Sequence, residues 1–338
     1  MTAFAREREL AERAARAAGA IVRRYYESGV GVAEKGPDNP VTGADLEANA
    51  CIRALVAAAF PDDGWLSEET TDSAERLRKR RVWVVDPLDG TKEFLQHIPE
   101  FCVCIALVED GRPVVAVEYN PAADRLYAAV RGQGTTVNGT PARVTRTARV
   151  PDALVLASRS EDQRGEWEAF KGRVRVQLTG SVAYKLAELA TGAGDATFTL
   201  TPKNEWDICA GTLLVEEAGG KVTDLAGEPL RFNQEITLRP GMIASNGPLH
   251  AGLLALIAEV GGSYRSPRRR STAAPRAGKS VMMPSTPRAR RRSISASSLI
   301  VHTCTSRPSA WAAATDSAVT IAVSRNAGGT WRAAPGGW

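Results

Sequence analysis

No stretch of this 338-residue chain approaches the roughly 18 consecutive apolar residues of a membrane-spanning helix. The N-terminus, MTAFARERELAERAARAAGAIVRRYY, also lacks the apolar core of a secretory leader; it is charged and helical in period. A cytoplasmic protein is expected. Cysteine is sparse: Cys51, Cys102, Cys104, Cys209 and Cys304 form no C-x-x-C pair, and an odd count without a leader argues against a disulfide framework. Cys102 and Cys104 alternate along FCVCIALV and so share one strand face, where they read as small buried hydrophobes rather than metal ligands. Histidine is rarer still. His97, His250 and His302 are scattered, which leaves no evident zinc site and no Ser-His-Asp set.

Acid is short in one place only. Of 43 Lys+Arg and 38 Asp+Glu, residues 263–338 hold 13 of the bases and a single acid, Asp316, a charge of +12. Residues 1–262 keep the other 30 bases and 37 acids, a charge of −7. The tail is rich in Arg, Ser, Pro and Ala without periodicity, so disorder is expected there. It reads either as a basic arm for nucleic acid or acidic membranes, acting without catalysis, or as an out-of-frame or read-through extension of a G+C-rich gene. The composition and the abrupt boundary favour a translation artefact. Nucleic acid is then a partner only if the tail is genuine and functional, and no membrane partner is expected.

The chain as a whole is 43% hydrophobic and 24% charged, ordinary globular composition with ample material for a core. Helical spacing runs over 3–28 and again from about Thr42, where Thr42 and Asp45 sit three apart in a near capping box. RVWVV (81–85) reads as a short buried strand that ends at Asp86, with Pro87 stopping sheet pairing and Gly90 permitting a tight turn. From Phe101 the alternation broken by Asp-Gly, Asn-Pro and Gly-x-Gly turns predicts antiparallel hairpins. Strands and helices then alternate: ALVLASRS, a helix over 161–171, RVRVQL, a helix ending at Gly192, DATFTL, and a helix closed by Gly219-Gly220. A hairpin-like KVTDLAGEPL and a closing strand and helix complete a layered α/β body over 1–262, in halves of about 1–150 and 151–262.

Against the lack of histidine and reactive cysteine stands a supply of carboxylates in exposed-turn positions. DPLDGTKEF (86–94) carries Asp86 and Asp89; taken alone it fits an Asx-rich turn. Glu68 and Glu69 follow WLS, Asp45 opens the second helix, and Asp207 opens the helix EWDICAG. Hard cations such as Mg²⁺ take oxygen ligands and are held by a few carboxylates plus substrate phosphate, and four acids from separate segments are material for such a site.

WLSEE, WVVDPLDGTKEF and EWDICAGTLLVEEAGG, in this order, resemble the inositol monophosphatase superfamily over about residues 5–258. The resemblance implies an α-β-α-β-α sandwich with mixed sheets and a lithium-sensitive, Mg²⁺-dependent phosphatase with two or three Mg²⁺ per site, Mn²⁺ being an alternative. It implies first-metal ligands Glu68, Asp86 and the Leu88 carbonyl, and second-metal ligands Asp86, Asp89 and Asp207. Thr91, paired with Asp45, would position and help deprotonate the attacking water. Gly90 and Thr91 would offer backbone N–H groups to the phosphate, Asp207 would also touch substrate, and Lys35 would lie on a mobile loop near the metals. A small phosphorylated metabolite as substrate and a homodimer are further implications.

DGTKEF, with Lys92-Glu93, looks most like the 3′(2′),5′-bisphosphate nucleotidase (CysQ-type) branch, which removes the 3′-phosphate of adenosine 3′,5′-bisphosphate formed in sulfur metabolism. Inositol-specific members place a ring-binding Glu seven residues before the metal-binding Asp, and here that position is Leu200. Ser158, Arg159 and Lys185 are candidate contacts to a second phosphate; a helix cap and surface charge explain them equally well. LTPKNEWD departs from the familiar nucleotidases, which keeps inositol or another sugar monophosphate open as substrate.

Overall fold

Helix α1 (Ala5–Ser28) is built from good helix formers, with Leu10, Ala11, Ala14, Ala15, Ala18, Ile21 and Val22 repeating at helical spacing on its buried face. It stops at Gly29, whose φ of 79° admits no ordinary side chain without cost. Strands β1 (Val32–Gly36) and β2 (Asn39–Thr42) pair as a hairpin, and α2 (Gly43–Ala59) follows at once. Thr42 caps that helix as expected: its hydroxyl accepts from Ala44 N at 3.1 Å, and its own N–H donates to Asp45 Oδ2 at 2.8 Å. The computed structural model describes the backbone of residues 3–29, 32–36, 39–263, 301–303, 320–325 and 331–333.

A seven-stranded sheet comes next, in the order β3 (Gly64–Ser67), β4 (Arg81–Asp89), β5 (Cys102–Glu109), β6 (Arg112–Asn120), β7 (Arg125–Val130), β8 (Gly134–Val137) and β9 (Thr140–Ala142). β3 runs parallel to β4, and every later neighbour is antiparallel, the meander predicted from the turn residues. The short α3 (Thr91–Leu95) lies between β4 and β5, and after β9 the second half runs β10 (Leu154–Ala157), α4 (Arg159–Gln163), β11 (Arg175–Leu178), α5 (Val182–Ala190), β12 (Ala196–Thr199), β13 (Lys203–Asn204), α6 (Glu205–Glu217), β14 (Lys221–Thr223), β15 (Leu238–Arg239), β16 (Met242–Ser245) and α7 (His250–Ser263). Its main sheet has the order β11-β10-β12-β16-β14, with β10 parallel to both neighbours and β16 antiparallel to both of its own.

Strand alternation decides the layers. Trp83, Val85, Val103, Ile105, Val115 and Val117 face one way and pack with α1 and α2. Val82, Val84, Cys102, Cys104 and Ala106 face the other way and pack with Leu186, Leu189, Leu213 and Leu214 of α5 and α6, which also cover Val222, Met242 and Ala244 of the second sheet. The far face of that sheet, with Val155, Phe198 and Ile243, is closed by Trp167, Phe170 and the α7 residues Leu253, Leu256 and Ile257. Helix, sheet, helix, sheet, helix is the resulting order, the layered fold with mixed sheets expected above. Cys102, Cys104 and Cys209 are buried free thiols, and Cys51 is buried as well.

Three expectations are corrected. The strand does not end at Asp86: β4 pairs with β5 as far as Asp89, across Pro87. The helix expected over 161–171 is only α4 and a short 3-10 turn at Glu168–Phe170, because Gly165 turns the chain at φ 76° between them. Of KVTDLAGEPL only Lys221–Thr223 is strand, and it pairs with β16 rather than folding back on itself.

Residues 263–338 form a unit of their own, in which Val301–Thr303, Thr320–Arg325 and Trp331–Ala333 pair as a small antiparallel sheet. The disorder expected of the remaining tail falls outside the described residues. Among the described residues no helix is long and apolar enough to cross a membrane.

The helical layer between the sheets closes through Gly211 of α6, where a Cβ would stand 2.5 Å from Leu186 Cβ of α5. Gly211→Val is expected to cost about 1–3 kcal/mol by overpacking, read as a lower urea midpoint at unchanged slope. An unshifted midpoint would mean that α5 and α6 do not pack through this glycine.

Candidate metal centre

Two carboxylates three residues apart on an ordinary strand point to opposite faces. Here Asp86 pairs with Cys104 and Asp89 with Cys102, so three steps along β4 oppose two along β5. That extra residue is a β-bulge. It turns both acids to the side of the sheet covered by α5 and α6. Pro87 sits inside the bulge, where a missing N–H costs no ladder bond. The turn then tightens at Gly90, whose φ is 93° and whose Cβ would lie 2.8 Å from Glu100 O.

Three carboxylates converge at that point. Glu68, at the end of β3, Asp86 and Asp207, in the first turn of α6, each present an oxygen, and these oxygens lie within 4.8 Å of one another. Asp86 is buried, while Glu68 and Asp207 are half-buried. Burial, then the charges of Glu68, Asp89 and Asp207, hold the Asp86 carboxyl well above the usual range. Asp207 is raised in the same way by burial and then by Asp89 and Glu68, with Lys203 opposing. Its position is fixed by the α6 capping box, in which Asn204 N donates to Asp207 Oδ2 at 3.0 Å.

Asp89 stands at the edge of this group, and its Oδ2 is turned toward α5. It accepts the Ser181 hydroxyl and the Ala183 N–H, the latter at 2.8 Å. Burial raises its pKa against those two bonds and the charges of Lys203 and Lys185. Ser181 itself has φ 51°, an uncommon value for a non-glycine residue, and its hydroxyl caps α5 through Tyr184 N at 3.0 Å.

Thr91 is held beside the acids from two directions. Its Oγ1 lies 3.3 Å from Asp45 Oδ1 and 3.1 Å from the Leu88 carbonyl, and both partners are acceptors. Asp45 Oδ2 accepts from Thr42 Oγ1 at 2.6 Å, so the capping box that starts α2 also orients Asp45.

The remaining candidates spread out. Lys185 is buried at 2% exposure rather than on the surface, because α5 is covered by sheets on both sides; burial brings its pKa down to about 8 against the pull of Glu161. Ser158 caps α4 through Glu161 N, and Arg159 is engaged with Glu100 and the Leu178 carbonyl. Lys35 belongs to β1, and its side chain lies outside the described residues. Sequence reasoning passed over Ser181, Glu161 and Lys203. Only Lys203 carried a local signal, lying four residues before Asp207.

The donors that meet here are all oxygens, and they suit a hard divalent cation rather than a soft one. Three acids this close, two of them with pKa values raised by their neighbours, fit a cation between them, since the repulsion is relieved by positive charge.

Known proteins place this architecture. The family model described as the inositol monophosphatase family matches residues 5–262. The Nus factor SuhB of Escherichia coli is 36% identical over 229 residues, 64% of this chain and 85% of that protein. An inositol-1-monophosphatase of Mesorhizobium japonicum is 36% identical over 234 residues, 67% of this chain and 85% of that protein. Among solved structures, an inositol monophosphatase from Anabaena superposes with a TM-score of 0.66 at 30% identity, over 76% of this chain and 97% of that one. On these grounds the chain belongs to the inositol monophosphatase family, a family of phosphoric monoester hydrolases.

Proposed function

We propose that this chain is a Mg²⁺-dependent phosphomonoesterase that removes the 3′-phosphate of adenosine 3′,5′-bisphosphate. The observation that supports the chemistry is the meeting of Glu68, Asp86 and Asp207 within 4.8 Å. Together with the Leu88 carbonyl and Asp89 these residues would hold the divalent cations. Bound there, the cations would neutralise the phosphoryl oxygens and acidify the attacking water.

The chain's own residues supply the rest. Thr91 has one hydroxyl proton and two acceptors for it, Asp45 and Leu88 O, which leaves its lone pairs free to take a proton from water. As water gives a proton to Thr91 Oγ1, the hydroxyl's own proton passes in concert to Asp45 Oδ1, whose other oxygen is fixed by Thr42. At the Gly90 turn the first N–H groups of α3 would be offered to the phosphate. No side chain acts as a covalent nucleophile in this scheme.

The nucleotide reading is supported by Leu200, which cannot accept hydrogen bonds from a polyol, and by the buried ammonium of Lys185. A second reading, hydrolysis of inositol 1-phosphate, is favoured by the names of relatives such as the Mesorhizobium enzyme.

Phosphate release by the purified chain in Mg²⁺, with adenosine 3′,5′-bisphosphate and inositol 1-phosphate side by side, distinguishes the two. The nucleotide is expected to be preferred, and Asp89→Asn to lose at least a hundredfold in kcat. Preference for inositol 1-phosphate would transfer the reading to the second substrate. Activity surviving in Asp89→Asn would sink the metal chemistry. Deleting 263–338 is expected to leave Mg²⁺-dependent turnover in place.

A pH test follows from the acids. Asp86 and Asp207 have folded pKa values above their unfolded ones, so the metal-free fold binds their protons more tightly than the unfolded chain does. Its stability should therefore fall as pH rises from the unfolded value near 4 through the raised folded values. Mg²⁺ should restore stability in that upper range and lose its effect as protons compete at low pH. In chelator at pH 7.5, Asp86→Asn should melt no lower than the parent chain, yet gain nothing from Mg²⁺. A parent chain whose melting temperature ignores Mg²⁺ at pH 7.5 would count against a cation site.

A further inference from the structure

Two of the three acids that meet at the metal centre ride on one sheet. β3 runs parallel to β4, and Glu68 N donates to Val85 O at 3.3 Å, so the spacing of Glu68 and Asp86 follows from strand pairing. Asp207 arrives from α6, in the helical layer, and its capping box fixes it only within its own helix. Its distance from the other two depends on how α6 packs and on what ties the first turn of α6 to that sheet. Such a tie runs through the connection between β3 and β4. Arg76, in the 3-10 turn Ala74–Arg78 of that connection, is buried at 3% exposure.

The guanidinium faces two ways. Nε and Nη2 donate to the two oxygens of Asp72, at 2.7 and 2.8 Å, a paired contact that sets the plane of the group. Nη1 donates to Asn233 Oδ1 at 2.8 Å and Nη2 to the Gln234 carbonyl at 3.0 Å, while Asn233 Nδ2 returns a bond to Arg76 O at 3.2 Å. The backbone of those same two residues then reaches α6. Asn233 N and Gln234 N donate to the two carboxylate oxygens of Glu205, at 2.6 and 3.0 Å. Glu205 is the first residue of α6 and is wholly buried, and its own N–H donates to Thr237 O at 2.9 Å. An unbroken chain of bonds thus joins the segment that follows Glu68 to a residue two places before Asp207. Burying an arginine and a glutamate is costly, and apolar contacts would join the two segments at less cost. What the charged groups add is direction, since the planar fork and the carboxylate take their bonds along fixed lines.

We infer that the Arg76–Asn233–Glu205 chain is a strut that holds Asp207 against the repulsion of Glu68 and Asp86, so that the three acids stand together before a cation arrives. The inference rests on the metal-dependent reading and deepens it. Arg76, Asn233 and Glu205 are positioning residues, and their effect passes through Asp207. Without the strut the first turn of α6 relaxes away from like charge, and a binding cation must draw it back. The strut therefore governs cation affinity, and leaves substrate affinity and the rate at saturating cation in place.

Calorimetric titration with Mg²⁺ in the absence of substrate reads the strut directly, and turnover of the preferred monoester against Mg²⁺ reads it in the working enzyme. Arg76→Gln is expected to weaken Mg²⁺ binding about tenfold, the lower end of what partners of metal ligands contribute. Asn233→Gly suits the φ of 57° and removes only the side-chain link, and should weaken binding about threefold or more. Asn233→Asp keeps the acceptor for Arg76 Nη1 and should stay within about twofold of the parent chain. The apparent Mg²⁺ constant for turnover should rise by the same factors, with kcat at saturating Mg²⁺ and KM for the monoester unchanged within about twofold. Arg76 is buried and its replacement risks the fold, so Asn233→Gly carries the decision, with melting temperature in chelator as the check. If Asn233→Gly folds and binds Mg²⁺ as tightly as the parent chain, the strut is refuted and the phosphatase reading stands. A fall in kcat at saturating Mg²⁺ with cation affinity intact refutes the strut as well. If the parent chain binds Mg²⁺ but hydrolyses no monoester, and Asn233→Gly still weakens that binding, the strut stands and the phosphatase reading falls.

Discussion

Like charges forced together govern this molecule. Two unit charges of the same sign at 4.8 Å repel by about 3 kcal/mol at an effective dielectric near 20, and the centre holds three such pairs. A chain of marginal stability does not accumulate that cost without structural support. The support is distributed. β3 and β4 deliver Glu68 and Asp86 as neighbours in a parallel pair, the bulge adds Asp89, and the α6 capping box fixes Asp207. Deeper in the same layer, Glu118 has neither oxygen hydrogen-bonded among the described residues, and burial followed by the charge of Asp89 drives its pKa well up.

Much of the scaffold follows from helix formers and turn residues alone. α1, the capping box at Thr42, the meander from Phe101 and the two central helices are all visible as periodicity and punctuation, because their sequence signals are local. The bulge was not visible. Asp-Pro-Leu-Asp-Gly reads as a turn after a finished strand, and only pairing with Cys102 and Cys104 shows that the strand continues through it. Charge was misjudged for a related reason. Lys185 reads as surface charge on a helix, and only the placement of α5 between the layers puts it inside, where Glu161 opposes the effect of its burial. Similarly, Gly165 shortened a helix whose residues otherwise favour it.

Two charged clusters come from different parts of the chain. Glu68, Asp86, Asp89 and the Thr91–Asp45 pair belong to the first half, where a rigid sheet and its bulge set their spacing. Glu161, Lys185, Lys203 and Leu200 belong to the second half, on short helices and the connection between β12 and α6. Asp207 joins them, since it shares α6 with the second half while its carboxylate meets the first. Changes on the second half can therefore alter the surroundings of the acids without disturbing the sheet that holds them.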